Sequence, residues 1–66
     1  MARVELRELG KAGRTHNLKT TTVAIDGTDE EACVDLLRRM AHQHGKKASE
    51  CELAVKVGTK TKLYRV

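Results

Sequence analysis

The chain has 66 residues, 39% of them apolar, with one tyrosine, no phenylalanine, tryptophan or proline, and a formal net charge of +4. So short a chain is one domain, residues 1–66, with too little interior for a deep, walled catalytic cleft, and its few large side chains predict a thin core. It shows no apolar run of membrane-spanning length and no hydrophobic leader at the N-terminus; with only two cysteines, it reads as a protein of the reducing cytoplasm.

Val4 and Leu6 alternate with Arg3, Glu5 and Arg7, which predicts a half-buried strand over Arg3–Glu8. Gly10–Asn17 holds two glycines, an asparagine and the basic groups Lys11, Arg14 and His16, and reads as a mobile loop. The β-branched run Thr20, Thr21, Thr22, Val23 and Ile25 predicts a second strand over Leu18–Asp26, with Thr21, Val23 and Ile25 toward the core. Thr28 followed three residues later by Glu31 has the form of a capping box, and Asp29 and Glu30 suit the positive end of a helix dipole. Cys33, Leu36, Leu37, Met40 and Ala41 recur at helical spacing on one stripe, and Gly45 stands where a helix would stop. These signals predict a helix over Asp29–His44.

After a polar connection, Lys46–Glu50, the residues Cys51, Leu53, Val55 and Val57 alternate with Glu52, Ala54 and Lys56, a third strand. Gly58-Thr59 suits a two-residue hairpin turn into a fourth strand, Lys60–Val66. A two-residue turn directs Tyr64 and Val66 to the core; a three-residue turn would direct Leu63 there instead. The fold class is α+β in the order β-β-α-β-β, with one helix packed on one face of a four-stranded antiparallel or mixed sheet. The opposite face is expected to carry Arg3, Glu5, Arg7, Thr20, Thr22, Glu52 and Lys56.

Candidate chemistry is sparse. Cys33 and Cys51 fall on inward positions and read as small core residues, whereas a nucleophilic thiol needs exposure and a neighbouring base. His42 and His44, two apart on a helix, point about 200° away from each other and do not make a zinc pair. The carboxylates Asp26, Asp29, Glu30, Glu31 and Asp35 are explained by helix capping and by an i, i+4 pair of Asp35 with Arg39. Gly10-Lys11-Ala12-Gly13 has neither phosphate-loop spacing nor a following helix. No nucleophile, base and oxyanion donor come together, so the chain is expected not to be an enzyme, and no cofactor or metal is expected.

Charge is segregated. Residues 26–37 carry five acids and no base, whereas residues 1–25 carry five bases and two acids, and residues 38–66 eight bases and two acids. Arg38, Arg39, Lys46 and Lys47 gather near the helix end, Lys60, Lys62 and Arg65 on the last hairpin, and Lys11, Arg14 and Lys19 about the first loop. With Arg3, Arg7 and Lys56 on the sheet, these bases, Arg65 apart, are the candidates for binding a partner or phosphates. Against them stand their dispersion, the lack of aromatic stacking platforms, and the absence of a helix-turn-helix, zinc-finger or RNP-like motif. A charged surface that only keeps the domain in solution is the simpler account.

In size and layout, with strands near Arg3–Glu8, Leu18–Asp26, Cys51–Val57 and Lys60–Val66 around a helix from Asp29 to His44, the chain resembles small phage-encoded β-β-α-β-β proteins, among them anti-CRISPR inhibitors. The resemblance implies a non-enzymatic protein that docks on a larger nucleoprotein machine and blocks it. Many such inhibitors are acidic DNA mimics; a net charge of +4 departs from that pattern and implies blocking by contact, or at a place where nucleic acid and protein meet. No residue role carries over. The expected function is a non-catalytic binding module for a protein or nucleoprotein partner, with sequence-tolerant nucleic-acid binding as the alternative. The thin core and open sheet edges add a homodimer as a further reading.

Overall fold

Val4 and Leu6, both without any exposure, mark the middle of the fold. They lie on β1 (Ala2–Leu9), an inner strand of the sheet in the computed structural model, which describes every residue from Met1 to Val66. The other strands are β2 (Thr15–Val23), β3 (Cys51–Val57) and β4 (Lys60–Tyr64). Their order is β2-β1-β3-β4, and every neighbouring pair is antiparallel. A single helix, α1 (Glu30–Gln43), covers one face and buries Cys33, Leu37, Met40 and Ala41 against it. The order β-β-α-β-β is the one read from the sequence.

Leu6, Leu37 and Leu53 are fully buried, and each contributes about 1.5–3 kcal/mol of apolar burial. The helix packs chiefly on β3 and β4 and also on β1. β2 lies outside its cover, so Leu18, Thr21, Val23 and Ile25 are only half-buried although Thr21 and Val23 share a face with Val4 and Ala2. Leu36, on the flank of the helical stripe, is likewise half-buried.

The second strand starts earlier and ends earlier than the sequence pattern predicts. β1 runs on to Leu9, which pairs with Thr15, so the loop over Gly10–Asn17 contracts to a hairpin tip with a short 3-10 turn over Lys11–Gly13. Gly13 holds φ +73 in that tip, a conformation glycine adopts without strain. A register irregularity between Leu6 and Arg7 places Lys19 opposite Leu6 and Asn17 opposite Arg7, leaving Leu18 as the extra residue of a bulge.

The helix is capped by Asp29 rather than by Thr28. The Asp26 carboxylate accepts from both the backbone N–H and the hydroxyl of Thr28, which occupies the Thr28 side chain, and Asp29 accepts from the Ala32 N–H. At the other end the Gly45 N–H donates to the His42 carbonyl and the Lys46 N–H to that of Ala41, with Gly45 at φ +68, a Schellman ending. The Gly58-Thr59 turn has two residues, since Val57 pairs with Lys60. Tyr64 therefore faces the core, where its hydroxyl donates to the Gly27 carbonyl. Val66 lies beyond β4 and is exposed, and Leu63 points outward. Gly27 is packed so tightly that a Cβ there would lie 2.7 Å from Val57 Cγ2 and 2.9 Å from Val55 Cγ1.

Candidate functional site

With α1 on one face, strand alternation puts a second set of side chains on the other, and the registers arrange them in three rows across the four strands. One row reads Asn17, Arg7 and Glu52, with Arg65 just past β4 bonded to Glu52; the next Thr20, Glu5, Ala54, Leu63; the third sets the pair Thr22–Arg3 beside the pair Lys56–Thr61. All seven residues expected on this face from the sequence are on it.

The first row is a fixed ion network. Glu52, only 3% exposed, lies between two guanidinium groups: Arg65 Nη2 at 3.0 Å and Nε at 3.2 Å, and Arg7 Nη1 at 3.7 Å. Arg7 Nη2 also donates to Glu5 Oε2 at 2.8 Å. The other Glu5 oxygen accepts from Asn17 Nδ2, which in turn donates to Thr20 Oγ1 at 2.9 Å. The hydrogen bond that Arg7 donates to Glu5, joined by the charges of Glu5 and Glu52, holds the Arg7 guanidinium above its ordinary value despite partial burial. Two cations and two carboxylates thus cancel here, and their hydrogen bonds pin the geometry.

The third row is different. Arg3 and Lys56 are the next residues on their strands beyond Val4↔Val55, the last pair of β1 with β3. Neither base has a carboxylate within salt-bridge distance, and both are exposed. Between this row and the ion network lies a shallow hollow of about 360 Å³, lined by Arg3, Glu5, Arg7, Asn17, Thr20, Ala54, Lys56 and Thr61. Its depth comes from Ala54, a small residue in a position flanked by longer ones.

The remaining candidate bases are placed elsewhere. Arg39 pairs with Asp35 at 3.3 Å, the i, i+4 contact read from the sequence, and Lys46 pairs with Glu8 at 3.0 Å, which raises the Lys46 ammonium above its ordinary value. Arg38 lies on the outer side of α1 beside Asp35, and Lys47 leads into a 3-10 turn over Ala48–Glu50. Lys60 and Lys62 share the helix side of β4, with the Lys62 ammonium 5.8 Å from the centre of the Tyr64 ring. Lys11 and Arg14 belong to the first hairpin tip, and Lys19 sits opposite Leu6 on the helix side of β2. Of the candidates, the uncovered face gathers Arg3, Arg7 and Lys56. It adds Arg65, whose place follows only once Tyr64 is known to point inward.

Cys33 and Cys51 are buried, unbridged thiols, and burial pushes both above the ordinary thiol value. The Cys33 thiol lies 3.6 Å from the Asp26 carbonyl, toward which it donates. His16, His42 and His44 are exposed, and no three His, Cys, Asp or Glu side chains converge as a metal site. No helix is long and apolar enough to cross a membrane. The open face thus carries an ion network, the two bases Arg3 and Lys56 without ion-pair partners, and a shallow hollow. Comparison with protein-family models, with curated proteins and with solved structures finds no match.

Proposed function

We propose that the protein is a non-catalytic binding module that docks on a nucleoprotein partner through the uncovered face of its sheet. The observation that carries this reading is the ion network of Glu5, Arg7, Glu52 and Arg65, which holds a charged surface in one geometry before any partner arrives. Preorganised charge of this kind favours specific encounter and lowers the entropy lost on docking. Beside it, the positive row of Arg3 and Lys56 suits the nucleic-acid component of such a partner, and a module seated there would block whatever else uses that surface. Two buried, unbridged thiols suit the reducing cytoplasm as the site of action.

A photo-crosslinking residue at Thr61, on the open face, compared with one at Arg38, on the outer side of α1, tests the reading in extract of the source cells. Adducts of defined mass from position 61, lost on reversing the charges of Arg3 and Lys56, are expected. Adducts from position 38 alone would refute docking by the sheet.

A further inference from the structure

We propose that the Arg3–Lys56 end of the open face is a phosphate-binding site, and that the phosphate it takes belongs to a polynucleotide backbone. This deepens the docking reading by naming what the positive end of the face holds.

Three observations carry it. First, Arg3 and Lys56 are like charges on neighbouring strands, one step beyond the last pair Val4↔Val55, and both line the same hollow; like charges brought together across strands destabilise a sheet. No carboxylate relieves it: Glu5, the nearest on the face, has one oxygen taken by Arg7 and the other by Asn17. The flanking residues in the row are Thr22 and Thr61, whose hydroxyls donate hydrogen bonds to phosphate oxygens as readily as they accept them. A bound anion between the two bases removes the repulsion and satisfies both cations.

Second, the row borders the hollow above Ala54, so an anion there meets Arg3 and Lys56 from within a concavity rather than on a flat surface. Third, the shape and composition select the source of the phosphate. The row crosses all four strands, about 14 Å at the usual strand spacing, and is open at both sheet edges, which suits a chain passing through. The one tyrosine, Tyr64, is buried on the opposite face, so the open face has no aromatic platform on which a base could stack. A free nucleotide would find no aromatic partner for its base here, whereas a backbone can be held through its phosphates. Binding is accordingly sequence-tolerant.

The test uses the full chain in two assays. Inorganic phosphate is titrated while amide chemical shifts are followed by heteronuclear NMR. Mixed-sequence, fluorescein-labelled single-stranded RNA and DNA are titrated by anisotropy over a sodium chloride series. The proteins are the wild type, Arg3→Ala with Lys56→Ala, and Lys47→Ala as a base outside the row. The expected result is shifts at Arg3, Glu5, Ala54, Lys56 and Thr61, and oligonucleotide affinity that falls with salt. In the double variant affinity drops about tenfold and the log–log salt slope shrinks by about 1.4, for two lost single-strand phosphate contacts. Lys47→Ala stays within about twofold of wild type, as for a base that meets no phosphate.

Silent amides together with absent oligonucleotide binding at low salt would overturn the proposal, as would oligonucleotide binding that the folded double variant retains in full. Phosphate shifts on the row without oligonucleotide binding would overturn the polynucleotide source and assign free phosphate. Failure here with the Thr61 crosslinks intact removes the phosphate site and leaves the docking face. Success here without those crosslinks removes the docking reading and leaves the site.

Discussion

Replacing Lys56 by glutamate should make the protein more stable while ending phosphate binding. Arg3 and Lys56 lie on neighbouring strands one step beyond Val4↔Val55, with no carboxylate in ion-pair contact with either. Unit charges about 6 Å apart in a water-like medium interact by roughly 0.7 kcal/mol, and salt at physiological strength, with a Debye length of about 8 Å, cuts this to about half. Lys56→Glu removes that repulsion and substitutes an attraction of the same size, so about 0.7 kcal/mol before the new diagonal repulsion from Glu5, which is itself held by Arg7. A net gain of about 0.5 kcal/mol lies within the range known for cross-strand pairs and raises the midpoint of a domain this small by about 2–4 °C. Lys56→Gln should give about half of it. Thermal melts followed by circular dichroism at low salt and at 1 M salt make the comparison; the gain should be largest at low salt and disappear at 1 M, where the Debye length is about 3 Å. A folded Lys56→Glu protein that melts at or below the wild-type temperature at low salt would refute the claim that the pair is held at a cost.

Tyr64→Phe keeps the ring but leaves the buried Gly27 carbonyl without its donor, and should cost about 1–3 kcal/mol in denaturant titrations; a change under about 0.5 kcal/mol would show that water replaces the hydroxyl. The thiols of Cys33 and Cys51 should react with a disulfide reagent only as fast as the protein opens, so that Leu37→Ala accelerates labelling; fast reaction in the intact wild type would contradict their burial. Burial raises both thiols, so their protonated forms contribute stability below the unfolded thiol value that is lost as pH rises through the folded one, and melts should fall on the alkaline side less steeply in a Cys33→Ala, Cys51→Ala protein corrected for its own stability. For Asp26 the sign is opposite. Hydrogen bonds from Thr28 lower its value, so the stability it contributes is present above the unfolded carboxylate value and is lost as pH falls through the folded one; Thr28→Val should flatten that acid limb.

Alternation in β1 and β3 and the helical stripe of α1 are legible in the sequence because each repeats its core-facing apolar residues at a single period, and Gly45 marks the helix end because its positive φ is required there. The start of β2 is not legible. Thr15, His16 and Asn17 carry no apolar alternation, and they become a strand only because β1 extends to Leu9 and supplies the ladder. The helix cap shifts from Thr28 to Asp29 because Asp26 competes for the threonine hydroxyl, a contest between two local hydrogen bonds that spacing cannot decide. For the candidate site, alternation is enough to put Arg3, Arg7 and Lys56 on one face. The meeting of Arg3 and Lys56 at one hollow and the burial of Glu52 between Arg7 and Arg65 depend on which strands are neighbours, and a pattern along one strand contains no such information. The same holds for Lys46, taken up by Glu8 across a separation no local motif spans.

The sheet order also bears on how the protein comes off the ribosome. β1 is made first, yet it lies inside the sheet, and its Val4 must find Val55. Until β3 has been synthesised, the emerging chain can form only the β1–β2 hairpin, with Val4 and Leu6 bare on one side, and a helix whose stripe has nothing to cover. Isolated hairpins are marginal in water, so the native state should form only once β3 is available to pair with β1. The early hairpin, with a long uncovered β2 edge, is the species most exposed to misassociation at high expression. A lower concentration of nascent chains, or a chaperone that shields the hairpin, should therefore raise the yield of folded protein.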